Sequence, residues 1–220
     1  MTERAFLYGD LIFETIRVRN GDICFIDKHY SRLSRSANLL KFDTTYLSKE
    51  IFEEDIRKAL GDKKDARVRF LMYRDSKGFY TPETNNSKWE IEIFPLETEQ
   101  IICGKLGVFN QYKKTRNELS NLKSGNALLH VMAGIYAKEN YLDDCLILNQ
   151  HGRVAETIHS NIFILRGDEL VTPPLTEGCV EGVMRQVVIE IALFKGIFLD
   201  EIPILPHELI QADEVFLTNA

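Results

Sequence analysis

The sequence predicts a mixed α/β fold of the α+β type, in two domains, on three observations. Segments with the two-residue periodicity of strands and segments with the three-to-four-residue periodicity of helices are interleaved along the chain. Hydrophobic residues make up 45% of the 220 positions, enough for one large core or two small ones. A polar, basic passage, Gln111-Tyr112-Lys113-Lys114-Thr115-Arg116-Asn117, interrupts the apolar pattern and reads as an interdomain linker, which divides the chain into domains 1–110 and 111–220.

The elements follow in order. Phe6-Leu7-Tyr8-Gly9-Asp10 leads into the β-rich segment Leu11 to Val18, and Asn20-Gly21 is a hairpin turn before Ile23-Cys24-Phe25-Ile26. Asp27 reads as the N-cap of a helix whose apolar stripe is Tyr30, Leu33, Ala37 and Leu40. His29, Arg32 and Ser36 share a neighbouring face, where Arg32 is either a surface salt-bridge partner or an anion clamp. A second amphipathic helix spans Ser48 to Leu60 and ends at Gly61; strands follow at Ala66 to Arg74 and Trp89 to Leu96. The loop between them, Asp75-Ser76-Lys77-Gly78-Phe79-Tyr80-Thr81-Pro82, is a substrate lip or a long hairpin connection.

Another strand covers Lys105 to Phe109. Beyond Lys123 a helix is predicted from Asn126 to Asn140, with Leu128, Val131, Met132 and Ile135 as its apolar stripe. Strands are predicted at Cys145 to Leu148, at Val154 to Glu156 after the Asn149 to Gly152 turn, and in the hairpin Asn161 to Leu165 and Glu169 to Pro173. Gly178 and Gly182 bracket the start of a helix from Val183 to Lys195. A strand at Ile197 to Ile202, a helical turn after Pro206 and the strand Glu214 to Leu217 complete the chain.

Composition excludes several classes. A net charge of -6, with no Lys/Arg-rich run, argues against a nucleic-acid partner. The longest apolar runs are too short to span a membrane, and Met1-Thr2-Glu3-Arg4 does not resemble a signal peptide. Cys24, Cys103, Cys145 and Cys179 form no C-x-x-C pair, which fits reduced thiols in a cytoplasmic protein and no metal site.

Three features carry chemistry. Lys123 stands on a short polar approach to a helix, where a lysine is ordinarily a solvated charge. Gly182-Val183-Met184 opens an apolar helix and offers backbone N–H groups at its positive end, a phosphate cradle. Glu156 lies between apolar neighbours, where a glutamate needs a cationic partner.

Taken in order, Tyr8-Gly9-Asp10 with Phe13-Glu14-Thr15, His29-x-x-Arg32-Leu33 with Ser36-Ala37, Leu122-Lys123-Ser124-x-Asn126, and Leu148-Asn149 through Gly152-x-Val154-x-Glu156 to Asn161-Ile162-Phe163 form one pattern. It continues through Thr172-Pro173 and Gly182-Val183-Met184-Arg185-Gln186 to Ala212-Asp213-Glu214-Val215 and Asn219-Ala220. This pattern resembles the fold-type IV pyridoxal-phosphate enzymes: branched-chain aminotransferases, D-amino-acid aminotransferases and 4-amino-4-deoxychorismate lyases. Gly182 to Gln186, Gln211 to Glu214 and Asn219-Ala220 look most like the lyases.

The resemblance implies a small N-terminal domain, a larger C-terminal domain carrying the lysine, the cofactor pyridoxal 5'-phosphate in the cleft between them, and a homodimer. It makes Lys123 the residue that bonds the cofactor and moves protons, Arg32 a phosphate ligand, and Glu156 the carboxylate facing the pyridine nitrogen. The backbone amides of Val183 and Met184, with Thr218 and Asn219, complete the phosphate site. Met184 departs from aminotransferases, which often place a threonine hydroxyl there.

The implied activity is conversion of 4-amino-4-deoxychorismate to 4-aminobenzoate and pyruvate, a step of folate synthesis. The alternatives are an aminotransferase of the same fold acting on a branched-chain or D-amino acid, and a non-catalytic pyridoxal-phosphate-binding or interaction protein. Members of the class carry further residues before the Tyr-Gly-Asp segment and after the Asn-Ala pair, so the chain reads as a compact or shortened member. Arg74, Lys77 and Arg116 are candidates for binding substrate carboxylates, or solvated charges. Phe13 and Tyr80 wall the pocket or pack in a core.

Overall fold

The computed structural model describes residues 3–96 and 104–219, so Cys103 and Ala220 lie outside the described residues. By contacts these divide into two units. The first holds the residues before the undescribed stretch together with Lys123–Asn126; the second holds the residues after it up to Leu122, and Ala127–Asn219. The division therefore falls ahead of residue 110, and the segment that begins at Lys123 packs with the first unit rather than the second.

The first unit opens with a helix, α1 (Glu3–Tyr8), ahead of the β-rich segment. Strand β1 (Leu11–Arg19) turns at Asn20 and Gly21, both at positive φ, into the short β2 (Asp22–Ile23), as an Asn-Gly hairpin requires. Helices α2 (Ile26–Leu39) and α3 (Lys49–Leu60) follow, then β3 (Ala66–Arg74) and β4 (Ser87–Phe94). The strands form one antiparallel sheet in the order β2-β1-β3-β4. Its inner face carries Ile12, Ile16, Val18, Phe70 and Met72, which meet Leu33 and Ala37 of α2 and Phe52 and Ile56 of α3 in one core.

Two local expectations are corrected here. Asp27 does not cap α2: Phe25 occupies the N-cap in a left-handed conformation with no side-chain cap, and Asp27 lies inside the first turn, paired with Lys49. The stripe of α2 is also wider than predicted, since His29, Arg32 and Ser36 are buried beside Leu33 and Ala37. Ser48 does cap α3, accepting from the Ile51 N–H, and Gly61 ends it.

The second unit contains β5 (Leu106–Lys114), α4 (Leu128–Glu139), β6 (Asp144–Asn149), β7 (Val154–Thr157), β8 (Asn161–Arg166), β9 (Glu169–Thr172), α5 (Val183–Lys195), β10 (Phe198–Glu201) and β11 (Glu214–Thr218). They build a three-stranded sheet, β5-β6-β7, and a four-stranded sheet, β10-β9-β8-β11. Strands β5 and β6 are parallel and α4 is the crossover between them. The apolar run of β6 is buried on both faces: Cys145 and Ile147 pack under α4, while Leu146 and Leu148 join Val154, Ile162 and Ile164. Phe163 points the other way, toward Ala192 of α5, and stacks on Phe216 at 5.1 Å.

Two more expectations fail in this unit. Residues 111–117 are not a linker as a whole, because β5 continues through Lys114. The predicted stripe of α4 faces outward, with Leu128 79% and Val131 53% exposed, and the helix buries Ala133 and Ala137 instead. Those alanines pack with Phe109, Cys145 and Ile147, so the helix is held to the strands by its smallest side chains.

Candidate functional site

Strand β1 holds Lys123 through its backbone and Arg32 of α2 through a side chain. The Phe13 N–H donates to the Lys123 carbonyl at 2.9 Å, the Gly125 N–H donates to the Leu11 carbonyl at 3.1 Å, and Ile12 and Ser124 form an isolated bridge. The lysine backbone is thus stitched to the strand edge. Gly9 is required beside it: its φ is 62°, and a Cβ there would stand 2.6 Å from Asn126 Oδ1. The Lys123 side chain is half-buried, with Nζ 4.6 Å from the centroid of the Phe13 ring. That contact gives Phe13 a definite place against the lysine.

Arg32 is held by Glu14, which sequence reasoning did not single out. Its Nε donates to Glu14 Oε1 at 2.8 Å and its Nη2 to Oε2, and His29 Nδ1 lies 2.7 Å from the same Oε2. Burial pushes the Glu14 carboxyl upward, but the charge of Arg32 and the hydrogen bonds from His29 and Arg32 outweigh it and hold the group at about 2. The carboxylate can only accept, so His29 donates through Nδ1. The signal was present in the sequence: Glu14 falls in phase with the buried Ile12, Ile16 and Val18, a charge on the apolar face of a strand.

Glu156 is the corresponding group of the second unit. Oε1 accepts from Lys114 Nζ and from His130 Nε2 at 2.9 Å; Oε2 accepts from the Val180 N–H at 2.7 Å. Here too burial raises the carboxyl, while the charge of Lys114 and the bonds from His130 and Lys114 prevail and hold it at about 2. Lys114 was hidden because its stretch looked like a solvated basic linker. His130 was hidden because the face of α4 had been assigned from its large apolar residues.

The start of α5 lies three residues beyond Val180. Gly182 is its N-cap, with no side-chain cap hydrogen bond, so the first N–H groups of the helix, those of Val183 and Met184 included, are presented by backbone alone. A Cβ on Gly182 would fall 1.9 Å from Asn161 Oδ1, and the Asn161 amide donates to the Val180 carbonyl at 2.9 Å. Asn161 is also the register partner of Thr218, whose Oγ1 is buried without a partner among the described residues. Asn219 donates to Ser160 Oγ at 3.3 Å. An uncapped helix start and an orphaned buried hydroxyl together suit the oxygens of a phosphate group. A buried carboxylate held ionised suits a protonated ring nitrogen. The residues present fit pyridoxal phosphate.

The remaining candidates have the following surroundings. Arg74 is buried, bonding Asp10 Oδ2 at 3.0 Å, Asn85 Oδ1 at 2.6 Å and the carbonyls of Leu40 and Lys41, so its donors serve the sheet end rather than a substrate carboxylate. Arg116 donates to the Thr176 carbonyl at 2.6 Å and lies 3.5 Å from Glu177, which Arg153 and Asn149 also hold. Lys77 and Tyr80 are exposed in the connection between β3 and β4, which Arg4 fastens through the carbonyls of Gly78 and Phe79. Burial, then the nearby Glu156 charge, pushes the Cys179 thiol up to about 12; burial and Asp144 push Cys145 up to about 11. No helix among the described residues is long and apolar enough to cross a membrane, and no group of three or more His, Cys, Asp or Glu is arranged to hold a metal ion.

The fold is that of the fold-type IV pyridoxal-phosphate enzymes. A branched-chain aminotransferase from Thermoproteus uzoniensis, solved with norvaline, has a TM-score of 0.90 at 28% identity, covering 98% of this chain and 76% of that one. An aminotransferase from Brucella abortus bound to the cofactor PLP shares the fold, with a TM-score of 0.87 at 23% identity over 98% of this chain and 79% of that one. Residues 11–220 match the family model for class IV aminotransferases, and the chain belongs to that family. The aminodeoxychorismate lyase of Bacillus subtilis (strain 168) is 32% identical over 228 residues, covering 99% of this chain and 76% of that protein.

Glu14 and Glu156 stabilise the fold only while ionised. Their folded values of about 2 lie below the ordinary 4.5, so this stability is complete above that ordinary value and is lost as pH falls through the folded one. Arg32→Ala leaves the Glu14 charge buried without its fork and should cost about 3–5 kcal/mol in chemical denaturation. Glu14→Gln should shrink the acid-induced loss; a variant with the wild-type acid limb would contradict the account.

Proposed function

We propose that this chain is a pyridoxal-phosphate-dependent 4-amino-4-deoxychorismate lyase, releasing pyruvate and 4-aminobenzoate for folate synthesis. The observation that carries the reading is the start of α5. Gly182-Val183-Met184-Arg185-Gln186 has the lyase-like sequence, and position 184 offers a phosphate only its backbone N–H. The 32% identity to the Bacillus subtilis lyase supports it. Bound pyridoxal phosphate supplies an electron sink for the electrons released as substrate bonds rearrange.

The chain's own residues do the rest. Lys123 is the residue that would hold the cofactor through Nζ and would move the substrate proton, and the Phe13 face fixes where that amine rests. Glu156 keeps its negative charge for the ring nitrogen because three donors already hold it ionised. The Val183 and Met184 amides with Thr218 and Asn219 would hold the phosphate, and Arg32, preset by Glu14, is the further phosphate ligand that the resemblance implies. Lys77 and Tyr80, exposed in their loop, are the substrate-facing groups of this reading.

The test sets pyruvate release from aminodeoxychorismate beside amino transfer to 2-oxoglutarate. The proposal expects brisk pyruvate formation that Lys123→Ala reduces by about a thousandfold or more while the fold survives. Transfer without pyruvate would instead establish an aminotransferase, the reading favoured by the Thermoproteus relative. A homodimer belongs to the same proposal: Leu128, Val131 and Ile135 of α4 are exposed apolar surface that a second copy would cover. Sedimentation should read a dimer that Ile135→Glu weakens; a wild-type monomer at micromolar concentration would count against it.

A further inference from the structure

Lys114 and His130 both bond the same oxygen of Glu156. We propose that Lys114, with His130 beside it, is a positioning residue that limits how firmly Glu156 can hold a proton on the nitrogen of the cofactor ring. The inference rests on the reading of Glu156 as the ring's partner and deepens it.

The argument is one of charge. A carboxylate has room for about four donors. Glu156 already accepts three: the Lys114 ammonium and His130 Nε2 on Oε1, and the Val180 N–H on Oε2. The place that remains suits one further donor. Lys114 brings its charge while 7% exposed, where water screens little. A protonated ring nitrogen would be a second cation sharing one anion. The two repel, so the ring holds its proton less firmly here than it would beside a carboxylate of the same geometry with no ammonium on it.

Among the described residues, the side chains that bond Glu156 are Lys114 and His130. From β5 comes Lys114, from α4 His130, and from the segment before α5 the Cys179 thiol, which burial and Glu156 keep protonated. Arg185 of α5 acts on the same thiol, and its own charge is met by Glu201. Lys114 stays in place because β5 runs through it: its backbone pairs with Asn149 in β6, beyond an irregularity in the register. A residue at the end of a strand, rather than on a loop, is held to one position.

The experiment loads the protein with pyridoxal phosphate labelled with nitrogen-15 in the ring and follows the ring-nitrogen chemical shift against pH. Lys114→Met and Lys114→Gln, the second keeping a neutral donor for Oε1, should each raise the ring nitrogen's pKa by about one unit or more, a tenfold change in proton affinity. Lys114→Arg, which keeps the charge, should titrate where wild type does. The inference is overturned if the methionine and glutamine variants match wild type. It is equally overturned if the arginine variant shifts as far as they do, since packing would then be the cause. Glu156→Gln separates this claim from the reading beneath it. A lowered ring pKa in that variant, with no response to Lys114, overturns the inference alone; an unchanged ring pKa overturns the role of Glu156 and the inference with it.

Discussion

A carboxylate taken out of water must be met by cations and hydrogen bonds, and among the described residues Glu14 and Glu156 are two such groups. Glu14 is 1% exposed and Glu156 3% exposed. Each would be neutral if burial acted alone; each is instead held ionised by its partners. The partners are thereby fixed as well. Arg32 cannot turn away from β1 without stranding Glu14, and Lys114 cannot leave β5 without stranding Glu156. Within each unit the charges are therefore oriented by the fold itself, which is the condition under which electrostatic groups act most strongly on a ligand.

The same economy appears in the backbone. Strand β1 carries the lysine segment on its edge through Phe13, Leu11 and Ile12, and the arginine through the side chain of Glu14, so one strand sets the positions of both cations. In the second unit the run from Val180 to Gly182 holds Glu156 by an N–H and then opens α5, while Asn161 lies against Gly182 and pairs in register with Thr218. A few backbone positions thus place groups that are far apart in sequence.

The elements themselves were legible because their periodicities are strong: α3 with its Ser48 cap, the Asn20-Gly21 hairpin, and the helix from Val183 to Lys195 were all readable from the residues. What escaped was set by packing. The inner face of α4 is chosen by Ala133 and Ala137, which fit close to β5 and β6, and no scale that rewards large apolar side chains would select them. Lys114 looked solvated because its neighbours are, although the strand turns that one side chain inward. Arg74 and Arg116 looked available because a sequence shows charge without showing which carbonyls and carboxylates already receive it. Glu14 was the opposite case, a charge in phase with buried apolar residues that could have been read as a paired carboxylate.

The central claim is that Lys123, and not the buried Lys114, is the lysine that bonds the cofactor. Borohydride reduction of the pyridoxal-phosphate-loaded protein, followed by proteolysis and mass mapping, tests it directly. The account predicts a single phosphopyridoxyl group on the peptide containing Lys123. A group on Lys114, or no trapped group on a protein that has taken up the cofactor, would contradict it.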